Sequence, residues 1–290
     1  SVCQCDICKR MSDQSAQPVR KLPPLRGLAW VSGGWGLIKR QPVRLLLISL
    51  FFQLFLSLSQ MGALGMVVVL CLPVVSAGLL QAFDVVQRGE KPILAVLFMP
   101  FSAKGRTGSL LLLGAVAMAL ALLVVTFLLA GPVMKIDPEI MLRIEQGDLD
   151  ALQLIDPQVL QSTVYAMVIG AAISGTLTYF SIPLIWFRDH GLGSALITGL
   201  KGLVRNWMPL LVLGLFLGLL AVPIALLFSY FYLSALNGGA ASTLLGLLLL
   251  LIAPLFQLLL FGSQYLAFRD IFGMQEAVVP ASEPDDQLVA

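Results

Sequence analysis

LLGLLLLLIAPLFQLLLF, residues 244–261, decides the fold. Its eighteen positions hold one glycine, one proline, one glutamine and no charge. A transmembrane β-strand alternates apolar and polar residues with period two, and this run does not alternate. A surface helix of a soluble protein carries one polar face, and none is present. About 20 predominantly apolar residues in a helix cross a hydrocarbon core, so the stretch reads as part of a membrane-spanning helix over 241–268.

Five further runs of the same character occupy 43–59, 64–83, 109–131, 159–187 and 208–233, and none has an Asp, Glu, Lys or Arg near its centre. Of 290 residues, 58% are apolar and 12% charged, with a mean hydropathy of +0.93. Soluble domains are about one quarter charged, so water-soluble classes are excluded and lipid must serve as solvent. The expectation is an all-α membrane protein with about six transmembrane helices arranged as three hairpins. About forty polar or mixed residues precede the first run, which is not a signal-peptide layout; the spans themselves direct insertion.

The formal charge of +2 matters less than its distribution. Lys9, Arg10, Arg20, Lys21, Arg26, Lys39, Arg40 and Arg44 precede or open the first span. Arg88, Lys91, Lys104 and Arg106 follow the second, Arg188, Lys201 and Arg205 follow the fourth, and Arg269 follows the sixth. The opposite side holds only Lys135 and Arg143. The positive-inside rule predicts a multi-pass protein of a bacterial inner membrane with both termini in the cytoplasm. The periplasmic loop, 132–158, carries Asp137, Glu139, Glu145, Asp148, Asp150 and Asp156. Its two Asp-Pro pairs read as helix starts, and Ile140, Ile144 and Leu149 form an apolar stripe suited to the membrane surface. The loop reads as an acidic surface-lying connector, with a lid or docking face as the alternative. It has no calcium-loop pattern.

Cys3, Cys5 and Cys8 form a C-x-C-x2-C cluster. In the cytoplasm disulfides are rare and structural zinc takes four ligands. Cys71 lies in a span and the single histidine is His190, so no metal or cofactor is expected. Residues 1–10 are expected to lie upstream of a natural start at Met11, where Met-Ser-Asp looks like a bacterial translation start, or to belong to a disordered tail. The organisation expected is a disordered tail over 1–26, a membrane domain over 27–273 and a disordered acidic tail over 274–290.

Three stretches align without gaps: AWVSGGWGLIKRQPVRLLLISL from Ala29, AVLFMPFSAKGRTGSLLLLGA from Ala95 and ALITGLKGLVRNWMPLLVLGL from Ala195. Each leads through one or two bases into a span, and each unit ends near an acid, at Asp84, Asp189 and Asp270. In the third, Leu196, Leu200, Leu203, Val204 and Trp207 share a helical face, with Lys201 and Arg205 elsewhere. This is the pattern of an amphipathic helix in the membrane interface, and Trp30 and Trp35 suggest the same for the first. Lys39, Arg40, Arg44, Lys104, Arg106, Lys201 and Arg205 are therefore the candidate contacts to anionic phospholipid, each worth about 1 kcal/mol near such a surface.

Catalytic patterns are absent: there is no H-E-x-x-H, G-x-S-x-G or Walker A sequence. His190 neighbours Asp189 without an evident nucleophile and reads as a solvated helix-end residue. The spans hold Gln53, Ser57, Ser76, Gln81, Thr126, Ser174, Thr176, Thr178, Gln257 and Gln264. Gly170, Ser174 and Thr178, four apart, suit close helix packing. Pro73, Pro183, Pro223 and Pro254 are candidate helix breaks around a substrate path. Ion-driven carriers keep an ionisable residue in the membrane, and these spans show none. The leading expectation is a non-enzymatic scaffold or lipid-interacting envelope component, with a transporter or channel subunit for a small or amphipathic solute as the alternative. Nucleic acid is not an expected partner; a protein partner or a homo-oligomer stays open.

G-W-G-L-I-K-R-Q-P before the first span, L-P-V-V-S-A-G-L in the second and R-G-E-K-P after it resemble a proteobacterial family of uncharacterised integral inner-membrane proteins, over about Leu25 to Gly273. More remotely, the arrangement is similar to the membrane domain found with some glycerophosphodiester phosphodiesterases. The catalytic barrel of those enzymes, with its metal-binding residues, has no counterpart here. The resemblance implies a helical membrane domain and no particular chemistry.

Overall fold

The computed structural model describes residues 19–134, 136–146, 154–236 and 240–273. Cys3, Cys5, Cys8, Leu149 and the acidic tail lie outside them. Regular structure among the described residues is helical: α1 (Arg26–Arg40), α2 (Pro42–Ser57), α3 (Gly62–Gln87), α4 (Arg106–Val133), α5 (Pro138–Glu145), α6 (Pro157–Arg188), α7 (Leu192–Arg205), α8 (Trp207–Leu236) and α9 (Ala240–Phe272), with 3-10 turns at Leu58–Gln60, Leu94–Leu97 and Met99–Ser102. Six of these are long and apolar enough to cross a membrane: α2 with its following turn, α3, α4, α6, α8 and α9. Their ends fall within a few residues of the predicted ones. Both Asp-Pro pairs start helices as expected, with Asp156 Oδ1 accepting from Gln158 N at 2.8 Å and Asp137 Oδ1 from Glu139 N at 3.0 Å.

One expectation is overturned. Pro73, Pro183, Pro223 and Pro254 sit inside continuous helices and break none of them. Transmembrane helices tolerate proline because neighbouring helices and local adjustment satisfy the freed backbone groups.

The three sequence units form a cyclic pattern. The returning helices α3, α6 and α9 touch one another at the centre. α2 lies against α3 and α9, α4 against α6 and α3, and α8 against α9. Each element ahead of a hairpin packs on the returning helix of the preceding unit: the 3-10 turns on α3, α7 on α6, and α1 on α9, closing the ring. Two of these joints depend on glycine. A Cβ on Gly78 would lie 2.2 Å from the carbonyl oxygen of Leu97, and one on Gly34 3.0 Å from the backbone nitrogen of Ser263. Small residues let helix backbones approach where lipid gives no hydrophobic reason to associate.

Residues 19–25, grouped by sequence with a disordered tail, are tied to the bundle. Arg20 N donates to Ile271 O at 2.9 Å. The buried side-chain amide of Asn206 accepts from Leu22 N and donates to Arg20 O, both at 2.9 Å. It offers a donor and an acceptor as a strand edge would, so an extended segment can dock without a sheet.

Candidate functional site

The end of the bundle that carries the bases is held by polar side chains between every pair of central helices. Trp186 Nε1 on α6 donates to Gln81 Oε1 on α3 at 2.8 Å. Gln264 Nε2 on α9 donates to Tyr179 O on α6 at 2.6 Å, and Arg188 donates to Phe272 O. Tyr265 on α9 donates through its hydroxyl to Asp84 Oδ1 on α3 at 2.8 Å. Asp84 is only 4% exposed, and its other oxygen pairs with Arg88 one turn on. A buried carboxylate persists only when paired and hydrogen-bonded, and Asp84 is both. Sequence reasoning had Gln81 and Gln264 but missed the Asp84–Tyr265 pair. The signal was Arg88 at i+4, which marks Asp84 as a helix-end acid with a ready counter-charge.

The same pairing recurs around the rim, so each unit's returning acid meets an arginine. Asp270 Oδ2 accepts from Arg26 Nε at 2.7 Å and from Trp30 Nε1 at 2.8 Å. Asp189 Oδ1 accepts from Arg106 Nε at 2.9 Å. Arg106 also reaches Trp186 O at 3.1 Å and lies over the Trp186 ring, 5.8 Å from its centroid. The hydrogen bond to Asp270 and then its charge hold the Arg26 guanidinium above its ordinary value.

The seven bases proposed from sequence now divide. Arg106 is engaged by Asp189, and Arg44 Nη1 reaches Pro92 O at 3.4 Å. Lys39, Arg40, Lys104, Lys201 and Arg205 are exposed and join no ion pair among the described residues. Exposed apolar groups stand beside them: Trp35 on α1, Phe98 and Phe101 in the 3-10 turns, and Ile197, Leu200 and Val204 on α7. α7 turns Ala195, Gly199 and Gly202 toward the protein, packs Leu192, Leu196 and Leu203 partly against the core, and leaves Ile197, Leu200 and Val204 uncovered, as a helix embedded in an interface does.

His190 departs from its sequence reading. It follows Asp189, which adopts the left-handed conformation (φ 55°) at the end of α6, and it is half-buried rather than solvated. Its Nδ1 is buried without a hydrogen-bond partner. Burial, and then the charge of Arg188, push its pKa below the ordinary histidine value.

The polar groups within the spans divide: Gln81, Gln257 and Gln264 bond to neighbouring helices, and others bond within their own. The hydroxyls of Ser57, Thr176 and Thr178 bond carbonyls of their own helices at 2.7, 2.7 and 2.9 Å. Ser49 Oγ bridges α2 to α9 through Pro254 O at 3.1 Å and Gln257 Oε1 at 3.0 Å. Gly170 packs against Val125 of α4. A largely apolar crevice of about 560 Å³ opens between α2, α3, α4 and α6, past Phe52, Met66, Pro73 and Ala117. Among the described residues no three His, Cys, Asp or Glu side chains gather in a metal-binding group.

Six apolar helices, a ring of paired acids and a rim of exposed bases define a multi-pass helical membrane protein. No protein-family model, curated protein or solved structure matches the chain.

Proposed function

We propose that the protein is a non-enzymatic component of a bacterial inner membrane, with its basic end in the cytoplasm, that holds anionic phospholipid at a collar of interfacial elements. One observation carries this reading. The arginines nearest the returning acids are consumed by them, whereas Lys39, Arg40, Lys104, Lys201 and Arg205 remain exposed beside uncovered aromatic and aliphatic side chains. Bases and apolar groups side by side at the end of a span are the chemistry that an anionic leaflet recognises. The paired acids support the same reading, since they remove negative charge that would repel lipid phosphate.

Lipid analysis of the purified protein tests it. The wild type should retain phosphatidylglycerol or cardiolipin, and Lys39→Gln/Arg40→Gln or Lys201→Gln/Arg205→Gln should lower that retention. Unchanged retention in correctly inserted variants would leave these bases only a role in setting topology. A reporter fused after Ala103 should report cytoplasm and one after Gln146 periplasm; the reverse pattern removes the inner leaflet from the proposal. The 560 Å³ crevice favours a second reading, a transporter subunit for an amphipathic solute. Flux of such a solute in reconstituted vesicles, lost when Ala117→Phe fills the crevice, would select it.

A further inference from the structure

The three units differ at one joint. α2 bridges α9 and α3, and α4 bridges α3 and α6, so each packs on two returning helices. α8 packs on α9 and α1 but forms no comparable interface with α6 among the described residues. Two hollows lie along α7, which runs from the end of α6 to the start of α8. One, of about 330 Å³, runs between Ala172 and Thr176 of α6 and Leu196, Leu200 and Leu203 of α7. The other, of about 650 Å³, follows the outer flank of α7 past Val19, Ile197, Leu200, Lys201, Val204 and Arg205. Leu200 lines both.

We propose that α7 binds one anionic phospholipid, with its phosphate on Lys201 and Arg205 and one acyl chain in the hollow between α6 and α7. The inference rests on the collar reading and gives it a single site. The inner hollow asks for hydrocarbon. Its walls are almost wholly aliphatic, and the one hydroxyl, on Thr176, is already bonded to Ala172 O at 2.7 Å. An apolar recess does not hold water, and an empty one forfeits dispersion contacts on its lining; in a bilayer the material at hand is an acyl chain. The outer hollow asks for negative charge. Lys201 and Arg205 are four residues apart, hence neighbours on α7, and both are exposed and outside any ion pair among the described residues. A zwitterionic lipid supplies the same chain but brings a cationic group to two bases, so a net-negative headgroup is preferred.

Titration of the full-length protein in mild detergent with palmitoyl-oleoyl phosphatidylglycerol, read by native mass spectrometry, tests the site. The matching phosphatidylcholine is run alongside. The wild type is expected to take up one phosphatidylglycerol at least tenfold more tightly than phosphatidylcholine. Lys201→Gln/Arg205→Gln should weaken that event roughly thirtyfold. Ala172→Phe, which fills the inner hollow without changing charge, should weaken it about tenfold; Thr176→Leu is a milder filling that keeps the test alive should the larger side chain disturb folding. Lys91→Gln, which removes an exposed base outside the collar, should leave this tightest event in place. Wild-type binding by both folded filling variants overturns the inference and leaves the collar reading standing. A wild type without preference for phosphatidylglycerol overturns both. A dimer that takes up no lipid, its interface covering α7, also overturns the site.

Discussion

The two ends of the bundle are built from similar apolar residues and treat them differently. At the basic end Leu79, Leu80, Phe83, Phe180, Leu184, Phe268 and Ile271 are fully buried among α3, α6 and α9. Toward the other end and along α8, Phe127, Leu215, Leu219 and Leu226 are almost bare. In water the second group would be a large fault; in lipid a leucine gains nothing by leaving hydrocarbon for protein. What separates the ends is what lies between the leucines. The basic end has glycine at close joints, Gly27 against Pro209 and Leu213 at the start of α8 among them, and a polar bond between every pair of central helices, whereas Gly214 and Gly218 further along α8 meet nothing within 4 Å. Among these apolar helices, tight packing follows small and polar residues rather than hydrophobicity.

The largest expected effect breaks that contrast if it fails. Gly78→Leu drives a side chain into the carbonyl of Leu97 and should cost about 3 kcal/mol or more, in the range of severe overpacking, read as loss of fold or of thermal stability in detergent. Gly214→Leu, at a position on α8 with nothing within 4 Å, should be nearly neutral. Equal effects at the two positions would mean that the basic end is not the rigid one.

Next comes the polar lattice. Tyr265→Phe removes a hydrogen bond to a buried carboxylate and should cost about 1–3 kcal/mol. Asp84→Asn should cost a similar amount, because Tyr265 and Arg88 both lose their ionic partner. Thermal unfolding of the two single variants and the double variant measures the coupling. Additive losses would show that the pair does not act as a unit.

A smaller effect is expected at His190, in pH dependence. The folded chain binds its proton less readily than the unfolded chain, whose value is near 6.5. Stability linked to this residue is therefore full above about 6.5 and declines as pH falls through that value toward the folded one. His190→Asn should flatten this part of the pH–stability curve. A curve that keeps its full slope in the variant would assign the dependence to another group.

Much of the architecture was legible in the sequence because membrane spans are specified by length and composition alone. The six runs, both Asp-Pro helix starts and the three-unit layout all emerge from local pattern. The returning acids were legible as a recurring position but not as a set of ion pairs, because Arg26, Arg88 and Arg106 stand at unrelated spacings from Asp270, Asp84 and Asp189. Pairing across 244 or 83 positions is set by which helices meet, and that is fixed by glycine contacts no periodicity reports. The prolines misled for a related reason. A proline is a helix breaker only where the freed carbonyl has no other support, and a packed transmembrane helix supplies it. At the candidate site, sequence named seven bases, and only the packing distinguished Arg106, held by Asp189, and Arg44, within 3.4 Å of Pro92 O, from the other five.

The proposed collar is tested most directly by salt. Binding of phosphatidylglycerol to the wild type and to the combined variant Lys39→Gln, Arg40→Gln, Lys201→Gln, Arg205→Gln should be measured side by side at low and at high ionic strength. If the exposed bases hold the lipid, wild-type affinity falls steeply as salt rises, while the variant starts weak and changes little. Equal affinities and equal salt dependence in the two proteins would contradict the account.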